Sequence, residues 1–135
     1  RVFAFFADAA NLQALTPPWV NFSILTPLPI HMAPGRIIDY RIRLRGIPIR
    51  WRTLISTWEP PHRFVDEQTH GPYKTWIHEH TFEPITSGTR VRDHVRYQPR
   101  GGPLAPLLHR LLIRPDLERI FNYRQERLPL LLSPP

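Results

Sequence analysis

The amino-acid sequence predicts a single α+β domain in which a curved antiparallel sheet wraps around a long C-terminal helix. Three observations lead to this prediction. The first 15 residues have a helical pattern, five runs between residues 36 and 98 alternate apolar with polar side chains, and leucines recur at helical spacing near the C-terminus. The length of 135 residues suits one core, so we treat residues 1–135 as one domain.

The N-terminal segment RVFAFFADAANLQAL predicts two short helices. Its phenylalanines fall on one side of the first helix, and Asp8 is placed to cap the second. The Thr-Pro-Pro run that follows ends the helical pattern. Beyond it, residues 19–26 predict a first strand, and the proline-rich residues 27–35 predict a loop.

Five further runs have the pattern of strands, and the short joints between them are rich in glycine and proline, as between antiparallel neighbours. One face of these strands is apolar or aromatic. The other face carries arginine at alternate positions, which is typical of the solvated side of a sheet. The runs are 36–44, 49–58, 63–69, 74–85 and 89–98.

After the Gly-Gly-Pro run at 101–103 the apolar spacing becomes helical. One stripe begins at Leu104, and a second extends from Leu117 to Leu128. On a straight helix, at about 100° per residue, the two stripes point in different directions. Pro115 lies between them, so we expect a kink or break near residues 113–115. The tail from Leu128 onward is expected to fray.

The net charge of +7 raises the question of nucleic-acid binding. However, Lys74 is the only lysine among the 18 basic residues, and 17 prolines accompany the arginines, which indicates a compositional bias. The alternation of the arginines also favours a solvated outer face over a phosphate-binding surface. We therefore expect no nucleic-acid partner, with RNA or DNA binding as the alternative.

The chain contains no run of about 18 apolar residues, so no integral membrane segment is expected. Cysteine is absent, which excludes disulfides and thiol chemistry. No signal peptide is visible, and we expect a cytoplasmic protein. Because the chain begins at Arg1 without a methionine, we also expect an upstream segment.

The segment KTWIHEHTFEP, residues 74–84, places two histidines one residue apart with a glutamate between them. Side chains alternate between the faces of a strand, so both histidines share a face with aromatic residues. Glu79 lies on the other face, where we expect it to meet an arginine of the next strand. The face that carries the histidines consists of Trp76, His78, His80 and Phe82.

Three segments carry a family resemblance. VFAFFADAANLQALTPPW forms an opening helical pair, YKTWIHEHTFEPITSGTRVRDHVRY forms a W-x-H-x-H-x-F hairpin, and LERIFNYRQERL ends the last helix. Together with the order of elements, they resemble the small bacterial ligand-binding members of the START-like, or SRPBCC, superfamily (Bet v 1-like proteins). The resemblance covers nearly the whole chain. It implies the helix-grip fold, with a cavity between the sheet and the last helix.

Two departures from the resembled family are visible. The family fold starts with a strand before the first helix, whereas this chain starts inside the helix, so the first family strand is expected to be missing. Its absence would leave one edge of the sheet open. Pro115 also lies where the family helix is usually continuous, and we expect it to change the shape of the pocket entrance.

The resemblance makes the histidine-bearing face the concave one, and the next strand then adds Asp93 and Tyr97. We expect a hydrogen bond between Asp93 and His78 or His80, directly or through one water, because a buried carboxylate requires a partner. The predicted ligand-binding residues are Tyr40, Trp51, Trp76, His78, His80, Phe82, Asp93 and Tyr97.

Three interpretations of the two histidines remain open. With Asp93 they have the composition of a three-ligand zinc site, but no cysteine or further acidic motif completes it, and the resembled family needs no metal. As a general acid or base beside Asp93, a histidine would match the polyketide cyclases of the superfamily. In the third interpretation the polar groups satisfy one another inside a mostly apolar pocket. We expect no bound metal and no cofactor.

The predicted function is the binding of a small hydrophobic or aromatic molecule, such as a lipid, polyketide or isoprenoid. The alternative is an enzyme that resembles a polyketide cyclase or dehydratase and uses the same histidines and Asp93. No nucleophile motif or glycine-rich phosphate loop supports catalysis, which favours binding over turnover. A third class is an interaction module that works through the arginine face or the open sheet edge.

Overall fold

A computed structural model describes residues 2–27, 30 and 32–132. Six strands form one antiparallel sheet in sequential order. Each strand pairs with the next along the chain, as the short joints predict. The strands are β1 (Ser23–Ile24), β2 (Ile37–Leu44), β3 (Ile47–Glu59), β4 (Arg63–His70), β5 (Tyr73–Ile85) and β6 (Gly88–Pro99).

The N-terminal helices precede the sheet. Helix α1 spans Val2–Ala7, and helix α2 spans Leu12–Leu15. Between them, the Asp8 carboxylate accepts a hydrogen bond from the backbone N–H of Ala10 at 3.0 Å, so it caps a 3₁₀ turn as expected.

The first predicted strand, residues 19–26, is much shorter than expected. Pro18 starts a 3₁₀ turn that extends to Val20. Asn21 then adopts a left-handed conformation with a φ of 50°, so extended pairing cannot begin before it. Only β1, two residues long, pairs with β2.

The sheet is bent by irregularities in its pairing. The register between β3 and β4 shifts twice, between Arg52 and Thr53 and again between Ile55 and Thr57. Bulges of this kind bend a strand and increase its twist. The concave face meets the helices, and the arginines that alternate on β2, β3 and β6 are exposed on the other side. There Glu79 forms a cross-strand ion pair with Arg63 at 2.5 Å, and this arginine lies on the preceding strand β4, not on the next strand as expected.

The core consists of two clusters. A phenylalanine cluster joins α1 to β4 and β5 and contains Phe3, Phe6, Phe64 and Phe82. A tryptophan–tyrosine cluster lies toward the other end of the sheet and is built from Val20, Ile42, Trp51, Tyr73 and Trp76. The buried histidines of β5 lie between the positions of Trp76 and Phe82 on the same strand face.

Pro115 does not break the C-terminal helix. Helix α3 (Ala105–Leu108), a π-helical turn (His109–Ile113) and helix α4 (Arg114–Leu132) follow one another without a gap. In an α-helix the ring of Pro115 would clash with the carbonyl of Leu111. A π turn has i to i+5 hydrogen bonding. The turn directly before the proline is therefore widened, and this local widening replaces the predicted break.

The C-terminal tail is also more ordered than predicted. Helix α4 continues through Pro129 to Leu132, whereas fraying was expected from Leu128. Leu128, Leu131 and Leu132 pack against the phenylalanine cluster. Burial of these leucines outweighs the helix-breaking effect of the proline. Residues 133–135 of the tail lie outside the described residues.

Candidate functional site

The two histidines of β5 lie inside the molecule. His78 and His80 are buried, and His80 is only 2% exposed. Trp76 and Phe82, which share their face, are buried as well. The two imidazole rings stack with centroids 3.7 Å apart, and the ring of Phe64 stacks on His80 at 4.1 Å. The face that the alternation assigns to the histidines is therefore the concave one.

Asp66 on β4 is a site residue that the sequence analysis missed. In the register of β4 and β5 it is paired with His78. Its Oδ2 lies 2.5 Å from Nε2 of His80 and 3.8 Å from Nδ1 of His78. The signal that was available is Phe64, a core residue two positions earlier, because residues i and i+2 of a strand share a face.

Asp93 on β6 meets the same two histidines. Its Oδ1 lies 2.9 Å from Nε2 of His78 and 3.4 Å from Nδ1 of His80. Because an ionised carboxylate can only accept a hydrogen bond, Nε2 of His78 donates to Asp93 and Nε2 of His80 donates to Asp66. The predicted hydrogen bond between Asp93 and a histidine is thus present.

Arg124 of α4 closes the network from the helix side. Its Nε lies 2.9 Å from Asp93 Oδ2 and its Nη2 lies 3.0 Å from Asp93 Oδ1, a bidentate pair. Nη2 is also 3.4 Å from Nδ1 of His80. The Arg124 side chain is 11% exposed. Its position in the second apolar stripe of the helix was the sequence signal that it points inward.

The network is electrically balanced when His80 is protonated. Burial disfavours the imidazolium form of His80, but hydrogen bonds to Asp66 and Asp93 outweigh it and raise the pKa of His80 above its usual value. Burial, and then the charge of His80, lower the pKa of His78. The carboxyl pKa values of Asp66 and Asp93 are raised by burial but lowered more by the histidines, and end below their usual value. With His80 protonated, two carboxylates face one guanidinium and one imidazolium.

This balance predicts a loss of stability as the pH rises. The raised pKa of His80 adds stability that is fully present below about pH 6.5, the unfolded value, and is lost as the pH passes through the folded value. His78, with its lowered pKa, acts in the opposite direction as the pH falls below about 6.5. Denaturant unfolding as a function of pH should show the alkaline loss in the parent protein and not in His80→Gln. An unchanged alkaline slope in that variant would show that His80 is not the group responsible.

A cavity of about 180 Å³ lies between the sheet and α4. Asp66 and Arg124 reach it, and Leu117, Ile120 and Phe121 form its helix side. Most of its surface is apolar, which is typical of a site for a small molecule. Of the predicted ligand-binding residues, those that line this cavity are Tyr40, Trp51, Trp76, His78 and His80.

Three predicted site residues do not line this cavity. Phe82 is buried in the phenylalanine cluster. Asp93 and Tyr97 border a separate groove between β6 and α4, and the Tyr97 hydroxyl is 2.5 Å from Nε2 of His109. Asp93 therefore reaches the cavity only through the histidines and Arg124.

The sheet wall of the cavity holds further polar groups. The hydroxyls of Tyr40 and Thr53, both in the lining, are 3.1 Å apart. Burial, and then the charge of Asp66, raise the pKa of the Tyr40 hydroxyl well above its usual value, so it stays protonated. Within the described part of the chain, the buried indole N–H of Trp51 has no hydrogen-bond partner. Its ring lies perpendicular to that of Trp76 at 5.3 Å.

Asp66, His78 and His80 also have the composition of a metal site, with one ligand atom from each within 4.8 Å of the others. Nε2 of His80 and Nε2 of His78 each donate to a carboxylate, so only their Nδ1 atoms remain as possible metal ligands. The Arg124 guanidinium, 3.4 Å from His80, would also repel a second cation.

We therefore predict that the purified protein carries no stoichiometric zinc, because a zinc ion held by these three residues would lie close to the Arg124 guanidinium and be repelled by it. Elemental analysis of protein purified without chelator measures this directly. About one zinc per chain, lost in a His78→Ala variant, would reverse the expectation.

Comparison with known proteins agrees with this geometry. Residues 1–122 match the family model described as "Polyketide cyclase / dehydrase and lipid transport". The chain belongs to this family, whose functions concern hydrophobic molecules. It is thus a member of the SRPBCC-type proteins, as the sequence motifs predict. Among curated proteins, none matches the chain.

Solved structures share the fold at low sequence identity. Protein CV1439 of Chromobacterium violaceum has a TM-score of 0.74 at 14% identity, over 99% of this chain and 89% of its own. Protein Ms6760 of Mycobacterium smegmatis has a TM-score of 0.67 at 17% identity, over 98% of this chain and 82% of its own. TTHA0849 of Thermus thermophilus has a TM-score of 0.62 at 20% identity, over 98% of this chain and 90% of its own. These likenesses establish the helix-grip fold.

Proposed function

We propose that this protein binds a small hydrophobic or aromatic molecule in the cavity between the sheet and α4. The observation that carries the proposal is a mostly apolar cavity with one buried, hydrogen-bonded group of ionisable side chains in its wall. Aromatic rings such as Trp51 and Trp76 would contact the body of the ligand. The wall near Asp66 and His80 would contact its polar end. The family to which the chain belongs supports this proposal.

Native mass spectrometry of the protein as purified tests the proposal. We expect a small-molecule adduct that is lost under denaturing conditions. Leu117→Phe, which fills the cavity from the helix side, should abolish the adduct. Leu107→Phe is the matched control, because Leu107 is exposed and does not line the cavity. An adduct that persists in Leu117→Phe would place the ligand elsewhere.

Catalysis is the second candidate function, and one observation favours it. His80, whose pKa is raised, lies in the wall of the cavity beside Asp66, and an imidazolium–carboxylate pair can move a proton. A cyclase or dehydratase of this kind would show a rate that depends on pH with a histidine-like inflection. However, Nε2 of His80 donates to Asp66, which favours a structural role for this proton and hence binding.

The outer face supports the expectation that nucleic acid is not a partner. Several of its arginines are paired with acidic residues, including Arg52 with Asp39 at 2.8 Å. Arg63 contacts both Glu59 and Glu79. A tight complex whose affinity falls steeply with salt would contradict this proposal. Among the described residues, no helix is long and apolar enough to span a membrane. A cytoplasmic location remains a prediction.

A further inference from the structure

One carboxylate oxygen of Asp66, at the cavity wall, accepts no hydrogen bond from the described residues. Oδ2 accepts the hydrogen bond of His80, whereas Oδ1 receives no hydrogen bond from any residue that the structure describes. The side chain is 17% exposed, and it lines the cavity. An ionised carboxylate oxygen is a strong acceptor. A ligand that reached it would gain most by donating a hydrogen bond.

A second polar group lies in the same cavity. In the pair formed by Tyr40 and Thr53 one hydroxyl donates to the other, which leaves one hydroxyl proton for a different acceptor. The cavity therefore presents an acceptor at Asp66 and a donor at this pair. A hydroxyl group suits either of them, because it can both donate and accept a hydrogen bond.

The charge of the network limits the charge that the ligand can carry. With His80 protonated, the four ionised groups of the network cancel, so a ligand cation or anion would introduce an unbalanced charge into a buried site. A ligand carboxylate would also be repelled by Asp66. A neutral donor of hydrogen bonds avoids both penalties.

The size of the cavity points to a single ring. At about 180 Å³ it is slightly larger than an engineered apolar cavity of about 150 Å³ that binds benzene. Tyr40, Trp51 and Trp76 line one wall with aromatic surface. Ring faces and edges of this kind pack well against another aromatic ring.

We infer that the cavity takes a neutral, single-ring molecule with a phenolic or enolic hydroxyl, which donates its hydrogen bond to Oδ1 of Asp66. The inference rests on the proposed function, because it names the ligand class of the same cavity. It restricts that class to compact hydroxyl-bearing rings.

Titration calorimetry with four small probes tests this inference on the purified protein. 4-Methylphenol carries the donor, 4-methylanisole has a similar shape without it, and benzylamine and benzoate carry opposite charges. Because a hydrogen bond to an ionised group is among the strong ones, 4-methylphenol should bind about tenfold more tightly than 4-methylanisole. Benzylamine and benzoate should bind more weakly than either.

Two variants test whether the preference for 4-methylphenol depends on the Asp66 carboxylate. Asp66→Asn keeps the shape of the side chain and can still accept a hydrogen bond from His80, but it removes the charged oxygen. The affinity for 4-methylphenol should therefore become about equal to that for 4-methylanisole. Ile42→Val, in the apolar lining, should weaken both probes equally and keep the ratio. If Asp66→Asn fails to fold, the ratio of the affinities for 4-methylphenol and 4-methylanisole in the parent protein still tests the inference.

The outcomes separate the inference from the proposed function. Equal binding of the phenol and the ether to the parent protein would overturn the inference and leave the proposed function standing. Binding of neither neutral probe, even at millimolar concentration, would overturn the inference, whereas the proposed function would still be decided by the native adduct and its loss in Leu117→Phe. Tighter binding of benzylamine than of 4-methylphenol would overturn the inference by showing that Asp66 selects a cation.

Discussion

Replacement of Phe82 by alanine should destabilise the protein by about 3–5 kcal/mol and leave ligand affinity unchanged. Phe82 is buried, and its ring packs edge-on against Phe3 and Phe6 at centroid distances of 5.0 Å and 5.2 Å. Its removal leaves a void in the phenylalanine cluster, which joins α1 to the sheet. Phe82 is not part of the cavity lining, so the contacts to a ligand remain. Denaturant unfolding and a probe titration measure the two effects.

Phe64→Ala is the matched control for this prediction. Phe64 belongs to the same cluster, but it also lines the cavity and stacks on His80. The Phe64→Ala variant should therefore lose both stability and affinity for the ligand. If Phe82→Ala weakens binding as much as Phe64→Ala does, the sequence-based assignment of Phe82 to the ligand site is right and the boundary drawn here between core and site is wrong. Phe82→Leu serves where the alanine variant does not fold.

Asp93→Ala should destabilise the protein by roughly 1–3 kcal/mol, the cost of leaving hydrogen-bond donors without their acceptor. The Asp93 side chain is 21% exposed, so part of the effect is screened. The variant leaves the Arg124 guanidinium and the Nε2 proton of His78 without their acceptor. Loss of this acceptor also removes a group that raises the pKa of His80, so the alkaline loss of stability should move to lower pH.

Ligand binding distinguishes two roles for Asp93. Because Asp93 orients His78 and Arg124, and both line the cavity, Asp93→Ala should weaken binding more than Arg92→Ala does. Arg92 is exposed on the neighbouring position of the same strand, which makes it a suitable control. Equal affinities of the two variants would remove Asp93 from the site and leave it a purely structural residue.

Most of the sheet could be predicted from the sequence because one rule governs it. Alternation of apolar and arginine residues fixes which side of β2, β3 and β6 faces inward, and a shift by one residue would bury the arginines. The helical segments were harder to predict. Whether Pro115 breaks a helix depends on whether a wider turn can form before it. Whether the tail stays helical beyond Leu128 depends on a phenylalanine cluster built from distant residues.

The site was predicted only in part, because its members come from elements that are far apart in the chain. His78, His80 and Asp93 lie on adjacent strands of one hairpin, so their proximity follows from pairing. Asp66 stands on the preceding strand, in a run whose acidic residues resemble a solvated edge. Arg124 comes from the last helix, 31 positions beyond Asp93, and only the packing of that helix on the sheet brings the two together.

The C-terminal helix is attached unevenly along its length. Its second half is held by the Arg124 ion pair and by the leucines that enter the phenylalanine cluster. In its first half Leu107, Leu111 and Leu112 are exposed, and polar contacts such as the one between His109 and Tyr97 connect it to the sheet. Amide protons of the first turns should therefore exchange with solvent quickly, through small local fluctuations. Amide protons near Arg124 should exchange more slowly, because their exchange requires the core to open.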